Sequence, residues 1–374
     1  MCCMLLSCNN NDVILKDGIV KGSMEEEIKK MDTPESIINF ISKLSTEKEK
    51  KEAFELLDEN NKSSLLETAF LERRPNTELK LQSGISLDGI NNEYFLQDDI
   101  LLTKKQIEYL SDTTREYKCI TISVNDSRET LREKMSKAYN IALPDFDEME
   151  RTVRREYSTN SRGAGLVGLT FSDLWDGTVI PYTFNSSISE SYKTTIEGAI
   201  SHWNSFSNIT KYTFAPRTNQ RDYIEFTLGD GNFSPVGRTG GKQFITLYRY
   251  GFSKGTVIHE MGHAIGLYHE HQKSNRDKDV TVHSENIEDQ KEHNFTRQTY
   301  SIVEFDNFDF GSVMLYSSYD FSKNGKPTLT KKDGSVFVGQ RSGLSSDDVN
   351  IIPKMIEQSI IVTYIFLLTG QLPS

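Results

Sequence analysis

The sequence predicts an α+β fold for the C-terminal half of the chain, preceded by a partly helical N-terminal half. Two patterns support this prediction. In several short segments apolar and polar residues alternate, as in half-buried strands, and in others apolar residues recur every three or four positions, as in amphipathic helices. Hydrophobic residues make up 36% of the 374 positions, with 20 Phe and 16 Tyr, so the chain can build a sizeable core.

The N-terminal half is rich in charged residues. Residues 24–58 place isoleucines and other apolar residues at roughly helical spacing among Glu and Lys, which predicts one or two amphipathic helices. A second charged stretch, 145–155, leads into small and polar residues at 158–165, with Arg162 in their middle. Because such a stretch is typical of an exposed processing site, we place the main boundary between residues 162 and 163.

The C-terminal half begins with a predicted strand at Val179–Phe184, where apolar residues alternate. An amphipathic helix is predicted over Ser189–Trp203, because its apolar residues recur at helical spacing. Two further strands, Tyr223–Thr227 and Phe244–Tyr248, flank a glycine-rich region, and a second helix is expected to begin near Lys254.

Charge and hydropathy exclude two classes of protein. The chain carries 43 Lys and Arg against 54 Asp and Glu, a net charge of −11, so nucleic-acid binding is not expected. No uninterrupted apolar run reaches the length of about 18–20 residues that a membrane-spanning helix needs, which excludes an integral membrane protein. Residues 360–368 are apolar but short, and they predict a buried terminal strand or short helix.

The four cysteines lie at positions 2, 3, 8 and 119, so no disulfide can form within the residues after Cys119. Leu5-Leu6-Ser7-Cys8 resembles a bacterial lipoprotein signal, in which the cysteine is acylated. We therefore expect an exported protein, periplasmic, anchored to the outer membrane through lipid at Cys8, or secreted after processing. The alternative is an N-terminus without any targeting role.

Four of the seven histidines fall within thirteen positions, at 259, 263, 269 and 271. His259 and His263 are four residues apart, so on a helix both imidazoles project from one face and can share one Zn²⁺. Gly266 can adopt a positive φ, end the helix and turn the chain so that His269 becomes a third ligand. Three protein ligands leave one position open, which is typical of a catalytic zinc site, and Glu260 lies beside it.

The pattern His-Glu-x-x-His-x-x-Gly-x-x-His resembles the metzincin metalloproteases, and Glu270 after the third histidine is similar to the astacin family. The resemblance covers residues 163–355 and extends to further motifs: Leu174–Tyr182, Val236–Gln243, Ser312–Tyr316 and Gly339–Leu344. Astacin domains commonly carry two disulfides, and the corresponding segments here contain no cysteine.

This resemblance implies a zinc endopeptidase acting on peptides or proteins, with one Zn²⁺ held by the three histidines. It also implies a metzincin-like domain, with a twisted, mostly parallel sheet, an antiparallel edge strand, two long helices and a cleft. Glu260 would be the general base, Tyr316 a stabiliser of the transition state and a possible fifth ligand, and Met314 a support beneath the ligands. Glu270 would meet the N-terminal amine of the processed chain.

The resemblance further divides the chain into a possible signal at 1–8, a pro-segment at 9–162, the catalytic domain at 163–355 and an unassigned tail at 356–374. Astacins are made with a pro-segment whose aspartate occupies the zinc site. Leu96-Gln-Asp-Asp-Ile-Leu-Leu102 is similar to that motif with Asp98 in its glycine position, which nominates Asp99. Asp98 remains an alternative, as do two exposed aspartates with no such role. An inactive binding protein on a protease fold and a metzincin of another family are the alternative functions.

Overall fold

The computed structural model describes the following residues: 21–31, 37, 40, 44, 52–53, 56–57, 77–82, 85–90, 93–96, 99–111, 120–159, 174–175, 177–297, 303–305 and 307–369. The four cysteines, Asp98 and the predicted processing site at 162–163 lie outside these residues.

The described part of the N-terminal half begins with a helix, continues with an antiparallel series of four short strands and a second helix, and ends with a strand followed by two helices. The elements are α1 (Lys21–Ile28), β1 (Thr77–Lys80), β2 (Ser86–Ile90), β3 (Glu93–Leu96), β4 (Ile100–Leu102), α2 (Lys104–Ser111), β5 (Ile120–Ile122), α3 (Arg128–Tyr139) and α4 (Phe146–Thr159). Helix α1 overlaps the start of the helical region predicted at 24–58.

The C-terminal half contains the elements that carry the histidine motif. In chain order these are β6 (Val179–Phe184), α5 (Glu190–Asn204), α6 (Ser207–Thr210), β7 (Thr213–Pro216), β8 (Tyr223–Gly229), β9 (Ser234–Pro235), β10 (Lys242–Tyr248), α7 (Lys254–Ile265), β11 (Val280–Val282), β12 (Val303–Phe305), β13 (Leu329–Lys331) and α8 (Ser346–Thr369). Four short 3-10 helices lie between α7 and β12. The strands and helices predicted in this half are therefore present, with bounds shifted by two residues or fewer.

The main sheet has the order β10-β8-β6-β7, and each neighbouring pair is parallel. The predicted antiparallel edge strand is reduced, among the described residues, to an isolated bridge between Phe233 and Thr246 beside β10. The next two residues, Ser234 and Pro235, instead form β9, which pairs in parallel with β4 of the N-terminal half. Pro235 has no N–H group, so it cannot donate a hydrogen bond to β10. The pairing with β10 that starts at Phe233 therefore does not continue past Ser234.

Two helices pack against this sheet and on each other. Helix α5 begins where the Ser189 hydroxyl accepts a hydrogen bond from the Tyr192 amide, and α7 begins with the same cap at Ser253. The indole N–H of Trp203 donates to the carbonyl oxygen of Ile258 at 3.2 Å, which joins the two helices. Their buried faces, the sheet and apolar residues of the N-terminal half, such as Met24 and Ile28, form the largest apolar core among the described residues.

Helix α8 runs for 24 residues across the boundary expected at residue 355, so the tail continues a helix of the C-terminal half. By length and composition alone it could cross a membrane, because its most apolar window has a mean hydropathy of 1.6. The length of uninterrupted apolar runs predicts no such segment, because Lys354, Glu357 and Gln358 interrupt the helix. In this structure Ile361, Val362 and Ile365 of the helix are buried against other elements.

Candidate metal centre

Helix α7 holds two of the predicted ligands deep inside the protein. All its residues after Lys254 are buried, and His259 and His263 are 4% and 0% exposed. The Nδ1 atom of His259 lies 2.9 Å from the carbonyl oxygen of Val313, and that of His263 lies 2.8 Å from the carbonyl oxygen of Leu267. A carbonyl oxygen can only accept, so each Nδ1 carries the proton and each Nε2 presents a lone pair.

The third histidine reaches the same point from outside the helix. Gly266 ends α7 with a φ of 126°, a value that favours glycine, and the chain turns back towards the helix face. The amide of Glu270 then donates to the carbonyl oxygen of Met314 at 3.1 Å, which fixes the segment that carries His269. The structure thus brings His269 to His259, with 3.4 Å between their Nε2 atoms.

Asp99 is the fourth member of this cluster. Its Oδ2 atom lies 3.2 Å from Nε2 of His259, 3.6 Å from Nε2 of His263 and 3.1 Å from Nε2 of His269. The backbone of Asp99 is held as well, because its carbonyl oxygen accepts from the Ser234 amide at 3.0 Å. The N-terminal half therefore places a carboxylate on the histidine motif.

The donor set of the cluster fits a zinc ion. At bond lengths of about 2.0–2.1 Å, two ligands of a tetrahedral ion lie roughly 3.3–3.4 Å apart. The Nε2 atoms of His259 and His263 are 3.2 Å apart, and the four ligand atoms lie within 4.8 Å of one another. The Nε2 lone pairs of His259 and His263 point at the Asp99 carboxylate with no proton between them, so these atoms repel one another. A cation bound among them would turn this repulsion into attraction.

Burial keeps the imidazoles in the form that a metal requires. It lowers the pKa of His259 to about 3 and also lowers the pKa of His269. Neutral imidazole is the metal-binding form, so these ligands need lose no proton when an ion binds at neutral pH. His271, which the sequence left as an extra histidine, is 0% exposed and its pKa is lowered well below the usual value by burial.

Three further residues with predicted roles, the support Met314 and the catalytic residues Tyr316 and Glu260, are all buried. A Cβ atom on Gly262 would stand 2.8 Å from the Met314 sulfur, so Met314 packs closely against α7 beneath the ligands. The Tyr316 ring lies 4.7 Å from that of His269 and stacks on His271 at 4.0 Å. Glu260 is 2% exposed. The roles of these three residues stay predictions.

Glu270 faces away from the cluster, into a buried polar region. Its carboxylate accepts from the Asp309 amide at 2.8 Å and lies 3.2 Å from the Lys273 ammonium group. Burial raises the pKa of Glu270 to about 8 despite these partners. The family resemblance implies that Glu270 meets the N-terminal amine of the processed chain. The positive charge of that amine would favour the ionised form of the Glu270 carboxylate.

Two groups of interactions near the metal centre were not predicted from the sequence. Asp348, in the first turn of α8, accepts from the Ser312 hydroxyl and the Val313 amide at 2.6 and 2.9 Å and so fixes the segment before Met314. Asp88 on β2 pairs with Lys291 at 2.8 Å, and both side chains are 3% exposed or less. Neither pair has a local sequence signal, because the partners are far apart in the chain.

Comparisons with known proteins assign the C-terminal half of the chain to a family. The family model described as Astacin, a family of peptidases, matches residues 169–357. Protein SpAN of Strongylocentrotus purpuratus is 36% identical over 197 residues, which cover 50% of this chain and 32% of that protein. Flavastacin of Elizabethkingia meningoseptica is 33% identical over 217 residues, covering 56% of this chain and 47% of that protein.

A third relative, zinc metalloproteinase nas-13 of Caenorhabditis elegans, is 36% identical over 47% of this chain and 39% of its own length. The chain thus spans between a third and a half of the length of these curated relatives. Among solved structures, the hatching enzyme zinc-protease HCE-1 of medaka fish (Oryzias latipes) is 31% identical, with a TM-score of 0.45, and covers 50% of this chain and 96% of that one.

Proposed function

Because the chain belongs to the astacin family of peptidases, we propose that it is a zinc-dependent endopeptidase made as a latent precursor. The family match confirms the resemblance drawn from the sequence, and the alternative of another metzincin family is wrong. One observation supports the proposal above all others: three imidazoles and the Asp99 carboxylate converge on one point, with Glu260 on the same helix.

His259, His263 and His269 would hold the zinc ion, which when bound acts as a Lewis acid on water and on the scissile carbonyl group. Glu260 would accept the proton of the attacking water and pass it to the nitrogen of the leaving amine. The catalytic domain would comprise residues 163–355.

Tyr316 is proposed to stabilise the oxyanion of the transition state. Its ring is 4% exposed and packs between His271 and Phe321, with centroid distances of 4.0 and 5.4 Å. This packing holds the ring close to His269, and a phenolic O–H is a competent hydrogen-bond donor to an oxyanion. Zinc binding by the Tyr316 oxygen in the resting enzyme belongs to the same proposal.

Cleavage profiling tests the activity. The processed protein is incubated with a peptide library, with and without a zinc chelator, and the products are identified by mass spectrometry. Hydrolysis that stops with the chelator and returns with added zinc is expected. Zinc binding without any hydrolysis would instead support the inactive binding protein.

Replacing His269 by alanine is expected to lose the zinc ion, because one protein ligand of three disappears and binding weakens accordingly. Elemental analysis of the purified processed protein measures the occupancy. His202→Ala is a matched control, since His202 binds the Leu344 amide through its Nε2 atom and lies outside the metal cluster. Full zinc occupancy in His269→Ala would contradict the role of third ligand.

Latency is proposed to depend on Asp99, since a carboxylate among the three imidazoles occupies the position that an attacking water needs. Two further contacts support this arrangement. Strand β4 pairs with β9 beside the metal centre, and Asp88 pairs with the buried Lys291 of the C-terminal half. Both side chains of this pair are 3% exposed or less, so the contact between the pro-segment and the C-terminal half excludes water at this point. Cleavage near Arg162–Gly163 is proposed to start activation.

Export through a lipoprotein signal is proposed from Leu5-Leu6-Ser7-Cys8, which lies outside the described residues. If Cys8 is acylated, the precursor is expected to partition into the detergent phase of a two-phase extraction, and Cys8→Ser is expected to move it to the aqueous phase. Cys119→Ser serves as the control. An unmodified N-terminus, seen by mass spectrometry of the precursor, would rule out the lipid anchor.

A further inference from the structure

A second apolar core, which contains none of the metal-centre residues, joins the two halves of the chain. Seven buried residues of this core precede the processing site: Ile120, Ile122, Leu131, Met135, Leu143, Phe146 and Met149. Four follow it: Phe305, Ile361, Val362 and Ile365. We call residues 120–159 the helical module. Its apolar residues are therefore covered by residues that proteolysis at 162–163 would place in the other fragment.

Strand pairing adds to this apolar contact. Strand β5 of the module pairs in parallel with β12 of the C-terminal half, through Ile120 with Val303, Thr121 with Glu304 and Ile122 with Phe305. These two strands form a sheet of their own. A two-stranded sheet is stable only when its apolar face is covered, so β5, β12 and the surrounding helices depend on one another.

The last turns of α8 supply most of the contact from the C-terminal side. The family match ends at residue 357, whereas the helix continues to Thr369. Ile361 and Val362 are both 0% exposed and Ile365 is 1% exposed, while Leu368 on the same extension is 56% exposed. The extension beyond the family domain thus buries one face completely, and α3 and α4 cover that face.

We propose that residues 358–369 of α8 are a docking element for the helical module, so that the chain cut at 162–163 remains a complex of two fragments. The cut breaks a single peptide bond and removes none of the described residues of this core. Both fragments keep the surfaces that they bury against each other. The partner of the α8 extension is therefore the N-terminal fragment of the same chain.

One consequence rests on the proposed latency. Asp99 belongs to the fragment that the module retains, so a single cut would leave its carboxylate at a high local concentration near the metal centre. Activity would then appear at the rate at which the fragments separate, not at the rate of cleavage. Weakening the α8 contact would speed activation.

The docking itself can be tested without any activity. A sequence-specific protease site is inserted between Arg162 and Gly163 in the full chain, in the Glu260→Gln background so that no further proteolysis occurs. The chain is cut at a concentration of about 1 μM and examined by native mass spectrometry and gel filtration. We expect both fragments to elute together at the mass of the uncut chain.

Two variants identify α8 as the docking element. Ile361→Ala and Ile365→Ala are each expected to raise the dissociation constant of the cut complex by about 30-fold or more, as expected for a buried isoleucine truncated in a core. Leu368→Ala, exposed on the same extension, is the control and is expected to leave the constant unchanged. Met135→Ala shortens a side chain of the same core on the helical module, so it tests the same contact if an isoleucine variant fails to fold.

Three results would overturn the proposal. The first is rapid separation of the wild-type fragments after the cut. The second is an unchanged dissociation constant in both isoleucine variants and Met135→Ala, which would show that other contacts hold the fragments. The third is binding of the uncut chain, carrying Cys8→Ser so that no lipid is attached, to phosphatidylcholine vesicles, because the apolar face of α8 would then be open to lipid. Absence of hydrolysis by the separated C-terminal fragment, prepared with Glu260 intact and zinc bound, would contradict the proposed activity alone.

Discussion

Replacing Glu260 by glutamine is expected to leave zinc bound and to lower peptide hydrolysis by about 10²–10⁴-fold in the processed protein. The metal cluster consists of Asp99, His259, His263 and His269, so the substitution removes no ligand. Glutamine has nearly the same shape as glutamate, but its amide cannot accept the proton of the attacking water at neutral pH. The loss should therefore appear in kcat, with zinc content unchanged.

The measurement compares kcat and zinc content of the processed wild type and of Glu260→Gln on one peptide substrate. Glu190→Gln is a suitable control, because that side chain is 87% exposed in the first turn of α5. Activity of Glu260→Gln within about threefold of wild type would reject the general-base assignment. Loss of zinc together with activity would show instead that Glu260 supports the ligands.

Much of the C-terminal half could be predicted because its signals are local. The alternation at Val179–Phe184 and the spacing in Ser189–Trp203 each reflect one buried face, which a short window reveals. The same holds for the metal centre, since His259 and His263 are one helical turn apart and Gly266 marks the turn before His269. Local signals thus predict that the three imidazoles come together, although the carbonyl oxygens of Val313 and Met314, distant in the chain, also hold them in place.

The remaining features depend on partners that are distant in the chain. Lys291 and Asp88 are 203 positions apart, and β5 pairs with β12 across more than 180 positions, so no window contains both members. The edge of the main sheet differs from the family expectation for the same reason, because β4 of the N-terminal half pairs with β9. Helix α8 was divided at residue 355 where the resemblance ended, although its apolar face continues to Ile365.

Replacing Asp99 by alanine is expected to raise the activity of the uncut chain by about tenfold or more. The carboxylate lies 3.1–3.6 Å from all three imidazole Nε2 atoms, so its removal opens the position from which water reacts. Activation should stay incomplete, because the pairing of β4 with β9 and the ion pair of Asp88 with Lys291 still hold the pro-segment over the site. Initial rates on a small peptide, measured before any processing, give the effect.

Two further variants separate the carboxylate from general loosening of the pro-segment. Asp88→Asn weakens the pairing with Lys291 without touching the metal centre, so it should raise the activity of the uncut chain less than Asp99→Ala does. Glu93→Ala, exposed on the neighbouring strand β3, is the control and should remain latent. If Asp98→Ala alone released activity, the neighbouring residue would be the switch. An uncut wild type as active as the processed protein would end the latency hypothesis, because an inhibitory carboxylate must lower the activity of the chain that carries it.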